Sequence, residues 1–266
     1  MTKGRSLEKQ VLDTLKVPVP PTPFQESDCC GAKRLGFELL RESDTTLGRV
    51  ELRRQWSFAL EQEVFSMLLN GNPMMSSAVH VSEDALADRG LEQVDVDDID
   101  VLVGGLGLGF TGLRVLANER VRSATIIELL APVIEWHVDR LFPWSVQLLQ
   151  DSRLKIIHED FFAYLARLPA NGPHFHAILI DIDDTPDMVW HDRHLDFYTQ
   201  SELKSAANHL LPGGVLAIWF AAQPEPQFLS QMESVFESCR LEKIRFNNPC
   251  LHMEVDNFLV LGQGPG

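Results

Sequence analysis

The chain has 266 residues, of which 45% are hydrophobic, and its formal net charge is -15 with a sequence pI near 4.9. This length suits one large domain or a core with a small appendage, and the apolar content is sufficient for a packed interior. The acidity argues against a nucleic-acid-binding surface, which needs a basic face, and suits a cationic small molecule as partner. No signal peptide and no apolar run long enough to cross a membrane is recognisable, so a cytoplasmic protein without membrane contact is expected.

Residues 1–35 are predicted to form an amino-terminal arm. They contain the run Val-Pro-Val-Pro-Pro-Thr-Pro at residues 17–23, which lacks backbone donors and favours an extended segment. Such an arm can pack on a second subunit, and a homodimer is expected. Cys29 and Cys30 are adjacent and form no Cys-x-x-Cys motif, so reduced thiols are predicted.

Residues 36–95 are predicted to form a small antiparallel β-sheet domain. Short strands alternate there with turn-rich segments, and the run Arg-Val-Glu-Leu-Arg at residues 49–53 indicates one buried and one solvated face. Met74 and Met75 are interpreted as packing residues. Ser82 is predicted to cap a short helix that closes this domain.

Residues 96–266 are predicted to form a nucleotide-binding, Rossmann-like domain. Apolar strands at residues 101–104, 124–128, 154–158, 177–181 and 215–219 alternate with amphipathic helices, which is typical of a mostly parallel sheet with helices on both faces. Thr199 and Glu202 have the spacing of a capping box that opens one of these helices. The last two strands, at residues 241–246 and 257–261, are predicted to pair antiparallel at one edge.

A glycine-rich loop follows the first of these strands. The run Gly-Gly-Leu-Gly-Leu-Gly at residues 104–109 joins a strand to a helix, where glycines let backbone amides approach a ligand. Glu128 ends the next strand, at the position where doubly wound folds place an acid against ribose hydroxyls. The loop lacks the lysine of a phosphate-binding loop, so the candidate ligands are dinucleotides and adenosyl sulfonium compounds. The cofactor-binding glycines are predicted to be Gly104, Gly105, Gly107 and Gly109.

Acidic residues end the following strands as well. The carboxyl ends of parallel strands meet at one edge, so Asp160, Asp181 and Asp184 are expected to converge with Glu128 on one ligand. Asp160 can accept a hydrogen bond from the adenine amino group, because a carboxylate only accepts. Asp181 and Asp184 are the candidate catalytic residues, placed to orient an incoming amine and take its proton.

Three further side chains are candidates for contact with the acceptor. Trp190 follows the acidic strand and can stack on a substrate, although it can equally anchor a lid. Tyr198 is a second candidate, although core packing beside Phe197 is slightly favoured, and His80 is a third, although a structural role is favoured. His191 and His194 have a spacing that metal ligands use, but a solvated loop is favoured and no metal is expected.

Taken together, these motifs resemble the spermidine synthase (polyamine aminopropyltransferase) family, which is built on the class I S-adenosylmethionine-dependent methyltransferase fold. The resemblance runs from about residue 36 to the carboxyl terminus. It includes Leu-Leu-Asn-Gly at 68–71, Ile-Ile-Glu at 126–128, His-Glu-Asp at 158–160 and Leu-Pro-Gly-Gly-Val-Leu at 211–216. It implies that Glu128 binds ribose, Asp160 binds adenine, and Asp181 is the general base for an amine with Asp184 beside it.

The chain departs from the family pattern in the part that would bind the polyamine. Gly107 stands where the family has an aspartate expected to hold the aminopropyl ammonium, and no Tyr-His-Glu element matches near residues 80–83. The donor is therefore S-adenosylmethionine or its decarboxylated form, with methyl transfer to an amine slightly favoured over aminopropyl transfer. A non-catalytic nucleotide-binding protein is a further alternative. An NAD-dependent oxidoreductase fits the loop but gives Asp160, Asp181 and Asp184 no role.

Overall fold

The computed structural model describes residues 36–168, 172, 174–249 and 251–264. The predicted arm of residues 1–35, with its two adjacent cysteines, lies outside the described residues. Within the described ranges the chain forms a four-stranded sheet followed by a seven-stranded sheet with helices. None of the helices in these ranges combines the length and apolar character that crossing a membrane requires.

The small sheet is antiparallel throughout, as its alternating sequence predicts. Its strands follow chain order and are β1 (Phe37–Thr45), β2 (Gly48–Ser57), β3 (Gln62–Leu69) and β4 (Asn72–Ser76). In β2, Val50 and Leu52 are fully buried while their neighbours stay partly exposed, which confirms the predicted buried and solvated faces. Asn70 and Gly71 both have positive φ and form the two-residue turn that joins β3 to β4.

The large sheet has five parallel strands and an antiparallel hairpin at one edge. Its strands are β5 (Ile99–Gly104), β6 (Val121–Glu128), β7 (Leu154–His158), β8 (Phe175–Ile180), β9 (Leu210–Phe220), β10 (Ser238–Asn248) and β11 (Met253–Gln263). Their order is β10-β11-β9-β8-β5-β6-β7, with β11 antiparallel to both neighbours. The predicted antiparallel edge pair is therefore confirmed.

Helices cover both faces of the large sheet. They are α1 (Val81–Glu92), α2 (Phe110–Ala117), α3 (Ala131–Val138), α4 (Ser145–Gln150), α5 (Phe161–Arg167), α6 (Gln200–Ala207) and α7 (Pro226–Val235), with a 3-10 helix at Asp192–Tyr198 before α6. Alternate residues of β5 point to opposite faces. Val101 and Val103 pack in the core with α1 to α4, whereas Leu102 packs in the core with α5 to α7.

Two predicted helix caps differ from the structure. Helix α1 begins at Val81, so Ser82 lies inside its first turn, where its hydroxyl donates to the carboxylate of Glu83. Helix α6 begins where the capping box predicts, but the hydroxyl of Thr199 donates to the carbonyl oxygen of Asp196 instead of accepting from the helix. In both cases the hydroxyl donates to a neighbouring oxygen and does not accept from a backbone amide of the helix.

The order of the parallel strands places a crevice between β5 and β8. The chain winds outward from β5 to β6 and β7 on one side, and through β8 and β9 on the other. The loops that leave β5 and β8 are bonded to each other, because the amide of Asp181 donates to the carbonyl oxygen of Gly104 at 2.9 Å. Open α/β sheets bind their ligands at such a switch point.

At this crevice the backbone of Gly105 lies close to the backbone of Asp181. Replacement of Gly105 by alanine is therefore expected to destabilise the fold. A Cβ at Gly105 would lie 2.3 Å from the carbonyl oxygen of Asp181, and φ is +93°. We expect Gly105→Ala to lower the free energy of unfolding in urea by more than about 2 kcal/mol.

Gly213→Ala is the matched control, since Gly213 also has positive φ (+73°) but a Cβ there would meet no atom within 4 Å. It is expected to cost only about 1 kcal/mol. Equal losses in the two variants would contradict the close approach of the two loops.

Candidate active site

A cavity of about 530 Å³ lies at the carboxyl ends of β5, β6 and β8, where the strand order changes direction. This volume is typical of a site for a small molecule, about 300–1,000 Å³. Five acidic residues line it: Glu83, Glu128, Asp160, Asp181 and Asp184. No lysine or arginine is found among the lining residues that the structure describes. The cavity is therefore suited to a cation.

Glu128 holds the glycine loop of residues 104–109 beside this cavity. Its Oε2 accepts from the amides of Leu106 at 2.9 Å and Gly107 at 3.4 Å, and its Oε1 accepts from the amide of Leu130 at 2.6 Å. Burial raises the pKa of Glu128, and the three backbone N–H groups oppose that rise. The side chain at the end of β6 thus fixes the backbone of the loop.

The four predicted glycines have different positions. Gly105 and Gly107 line the cavity, whereas Gly104 and Gly109 are not among its lining residues. A Cβ at Gly104 would lie 2.8 Å from the ring of Phe161, so this glycine permits close packing of α5. Gly109 precedes α2 and has φ +92°. Of the four predicted glycines, Gly105 and Gly107 are therefore the two that a ligand in this cavity could contact.

Met75 occupies the space above Gly107. Its sulfur accepts from the amide of Leu108 at 3.2 Å, and it lies 2.5 Å from where a Cβ of Gly107 would be. Met75 is thus part of the cavity wall as well as a packing residue of β4. A side chain at Gly107 would have to displace it.

Asp160 lies both at the start of α5 and on the cavity wall. It is the N-cap of α5, where its Oδ1 accepts from the amides of Phe162 at 2.9 Å and Ala163 at 3.1 Å. It also lines the cavity. Because the cap uses Oδ1, Oδ2 can accept a further hydrogen bond from a ligand.

Asp181 and Glu83 bring two carboxylates together at the crevice. The hydroxyl of Thr111 donates to Oδ2 of Asp181 at 2.6 Å, and the hydroxyl of Ser82 donates to Oε2 of Glu83 at 2.7 Å. Burial raises the pKa of Asp181 to about 6, opposed by the bond from Thr111. Burial and then the charge of Asp181 raise the pKa of Glu83 to about 7. Such shifts are typical of functional carboxyl groups.

Asp183, between the two predicted catalytic acids, is the fully buried carboxylate of this loop. It accepts from the backbone amide of Trp190 at 2.9 Å, from Nδ1 of His194 at 2.9 Å and from the hydroxyl of Tyr198 at 3.0 Å. These bonds fix the loop that carries Trp190 on the cavity wall. Asp184 also lines the cavity, and burial followed by the charge of Asp183 raises its pKa.

Tyr198 and His80 are not among the residues that line the cavity. Tyr198 is 5% exposed and holds Asp183, so burial raises its pKa well above the usual value. His80 stacks on Phe110 with ring centroids 4.1 Å apart, and its Nδ1 lies 2.9 Å from the carboxylate of Asp84. Tyr198 thus helps to fix the loop that contains Asp183, and His80 packs against the first residue of α2.

The rings of His191 and His194 lie 5.8 Å apart, and Nδ1 of His194 is bonded to Asp183. Within the described ranges, no group of three His, Cys, Asp or Glu side chains is arranged to hold a metal ion.

Glu83, Thr111 and Asp183 are the site residues that the sequence does not single out. Glu83 follows a serine at a helix start, where acids usually interact with the helix dipole in solvent. Thr111 lies in the first turn after the glycine loop, which is the one local signal for its position. Asp183 belongs to the run Asp-Ile-Asp-Asp, in which only the fold determines which carboxylate is buried.

Removal of the Tyr198 hydroxyl is expected to destabilise the fold without weakening nucleotide binding. Tyr198→Phe takes one of three donors from the buried Asp183, which should cost about 1–3 kcal/mol in urea unfolding. Tyr164→Phe, at the half-buried tyrosine of α5, is the control and should change stability by less than about 0.5 kcal/mol. A large loss of nucleotide affinity in Tyr198→Phe with unchanged stability would instead indicate ligand contact.

Comparison with known proteins gives local sequence matches and a fold match over most of the chain. No family model matches the chain. Polyamine aminopropyltransferase 2 of Pseudomonas aeruginosa is 32% identical over 119 residues, which are 45% of this chain and 32% of that protein. The chain thus matches about a third of the length of its curated relatives.

Solved structures extend the similarity across the fold. A spermidine synthase in complex with the transition state analogue AdoDATO superposes with a TM-score of 0.67 and 17% identity, covering 85% of this chain and 73% of the other. Human methyltransferase-like protein 13 in complex with SAH superposes with a TM-score of 0.50 and 20% identity, covering 69% and 80%. The class I methyltransferase-like fold and the resemblance to the spermidine synthase-like family are therefore confirmed.

Proposed function

We propose that the chain is an aminopropyltransferase, which moves an aminopropyl group from decarboxylated S-adenosylmethionine onto an amine. The observation that carries this proposal is the acid-lined cavity at the switch point, whose described wall has no lysine or arginine. Both the sulfonium donor and the protonated acceptor are cations. Burial of a cation is favourable only beside compensating negative charge.

The comparisons support aminopropyl transfer over the methyl transfer that the sequence slightly favoured. The curated relatives are named polyamine aminopropyltransferases. The similarity to a methyltransferase is one of fold alone, and a shared fold does not determine the transferred group. The preference for methyl transfer rested on the missing carboxylate at Gly107, and the cavity has other carboxylates.

In this proposal the nucleotide end of the donor is bound by Glu128, Asp160 and the glycine loop. Oε2 of Glu128 already accepts from two backbone amides, whereas Oε1 accepts from one and can accept a further bond from a ribose hydroxyl. Asp160 can accept from the adenine amino group through Oδ2 while Oδ1 caps α5. Gly105 and Gly107 let the backbone approach the donor.

Asp181 is proposed to take the proton of the acceptor amine, with Asp184 orienting that amine. The nitrogen lone pair forms the new C–N bond as the C–S bond breaks, and the sulfur keeps the electron pair as a neutral thioether. Asp181 receives a proton from the acceptor ammonium before the attack, because only the neutral amine has a free lone pair, and the positive charge of the sulfonium ends on the product nitrogen. Its raised pKa, about 6, makes it a better base than an ordinary aspartate while it stays ionised at neutral pH.

Thermal unfolding with a panel of nucleotides tests this proposal. Decarboxylated S-adenosylmethionine and methylthioadenosine should each raise Tm, since a ligand at 100 times its Kd stabilises by about 2.7 kcal/mol. S-adenosylmethionine and NAD are the comparison ligands. A Tm raised by NAD alone would refute the proposed donor class.

A further inference from the structure

Glu83 has no role in the chemistry proposed above, although it is a buried carboxylate on the cavity wall. It is a carboxylate that is 9% exposed, lies at the start of α1 and lines the cavity with the glycine loop. The hydroxyl of Ser82 holds its Oε2, and the charge of Asp181 acts on it. Two buried like charges are costly unless a cation or a proton compensates them.

Met75 fills the space that a carboxylate side chain at position 107 would need. The amide of Leu108 in the same loop is bonded to the Met75 sulfur. An ammonium group on a donor held by this loop must therefore be compensated from elsewhere in the cavity.

We propose that Glu83 binds the terminal ammonium of the donor's aminopropyl tail and thereby selects the decarboxylated donor. This inference rests on the proposed function and assigns one of its specificity-determining residues. Glu83 reaches the same cavity from α1 that Asp181 reaches from β8, so one carboxylate serves the donor tail and the other the acceptor amine. Ser82 orients Glu83 through Oε2, and Oε1 can accept from the ammonium.

Selectivity between S-adenosylmethionine and its decarboxylated form follows from the charges on the tail attached to sulfur. The tail of S-adenosylmethionine carries a carboxylate beside its ammonium, whereas the decarboxylated tail carries the ammonium alone. The described wall of the cavity offers no lysine or arginine to pair with a ligand carboxylate. Glu83 and Asp181 would repel it, so the decarboxylated donor is the one whose charge matches the site.

The test is isothermal titration of the whole chain and its Glu83→Gln variant with three nucleotides. These are decarboxylated S-adenosylmethionine, S-adenosylmethionine and methylthioadenosine, which lacks a charged tail. We expect Glu83→Gln to weaken the decarboxylated donor by about thirtyfold or more, the effect of losing a charged hydrogen bond. Methylthioadenosine should bind both proteins within about twofold, and the preference over S-adenosylmethionine should shrink.

Glu92→Gln is the control on the same helix, because Glu92 is exposed and pairs with Arg89 at the surface. It should leave all three affinities unchanged. If Glu83→Gln binds methylthioadenosine normally and the decarboxylated donor within about threefold of the wild type, the role of Glu83 is wrong while the proposed function stands. If the wild-type chain binds neither the decarboxylated donor nor methylthioadenosine, the proposed function fails as well.

Loss of folding is not expected to obscure the result. The pKa of Glu83 is raised from 4.5 to about 7 by burial and by Asp181. Glu83 therefore binds a proton more tightly in the folded than in the unfolded chain, and the resulting contribution to stability is complete at low pH and is lost as the pH rises through about 7. Glutamine does not ionise, so the variant avoids this destabilisation. The free energy of unfolding of Glu83→Gln, relative to that of the wild type, should therefore be greater at pH 8 than at pH 5.

Discussion

Asp181→Asn is expected to lower kcat by about 10²–10⁴-fold, the usual contribution of a general base. Asparagine can still accept the hydrogen bond of Thr111 through its amide oxygen, so the loop after β8 keeps its anchor. It cannot take a proton from the acceptor amine. Donor affinity, measured by titration with methylthioadenosine, should stay within about threefold of the wild type, so the loss appears in kcat.

The pH dependence of the wild type should report the same group. The pKa of Asp181 is raised to about 6 by burial, and the ionised form is the base. Values of kcat/KM should therefore fall as the pH drops below about 6, and the remaining activity of Asp181→Asn should lack this acidic limb. Asp196→Asn, at an exposed aspartate of the 3-10 helix, is the control and should behave as wild type. A kcat within about threefold of wild type in Asp181→Asn would exclude it as the base.

Glu128→Gln is expected to weaken nucleotide binding by at least about thirtyfold and to destabilise the fold by about 1–3 kcal/mol. The glutamine has one acceptor oxygen where the carboxylate has two, and its amide nitrogen would face a backbone donor. Leu130 donates to one carboxylate oxygen, and Leu106 and Gly107 donate to the other, so one of these groups must lose its acceptor. The glycine loop would then be held less firmly beside the ligand.

Titration with methylthioadenosine and urea unfolding measure the two effects separately. Glu135→Gln, at an exposed position of α3, is the control and should change neither. The binding loss in Glu128→Gln should persist at temperatures well below its unfolding transition, where the variant is fully folded. Unchanged affinity in a destabilised variant would mean that Glu128 supports the loop but does not contact the nucleotide.

The parallel sheet and its glycine loop could be predicted because local patterns specify them. Apolar strands such as residues 177–180 are buried on both faces, and the acids that follow such strands converge where the topology requires it. The same reasoning identifies the antiparallel edge pair. Strand β4 could not be identified in this way, although Asn70 and Gly71 form a two-residue hairpin signal, because its two methionines fit equally well as packing residues.

The pairing of Glu83 with Asp181 could not be predicted, because it depends on how α1 packs over the switch point. The local sequence at residues 82–84, Ser-Glu-Asp, is typical of a solvated helix start. The burial of Asp183 instead of Asp184 depends likewise on donors that lie 7 to 15 residues away in the chain. Tertiary contacts, not local periodicity, decide which of several neighbouring acids faces a ligand.

Gly107 shows how strongly an inference about chemistry can depend on a single position. The glycine implied a site with one carboxylate too few for an aminopropyl ammonium, which favoured methyl transfer. The structure places Met75 over that glycine and a buried Glu83 on the same cavity. Five acidic side chains line the described cavity wall, so a carboxylate at position 107 is not the one group that could compensate a cation.

Product analysis after incubation with each donor is the most direct test of aminopropyl transfer. The purified chain would be given a short aliphatic diamine and either decarboxylated S-adenosylmethionine or S-adenosylmethionine, and the mixtures analysed by mass spectrometry. We expect methylthioadenosine and the aminopropylated amine in equal amounts from the decarboxylated donor, and neither product with Asp181→Asn. Formation of S-adenosylhomocysteine and a methylated amine from S-adenosylmethionine, with no product from the decarboxylated donor, would contradict aminopropyl transfer.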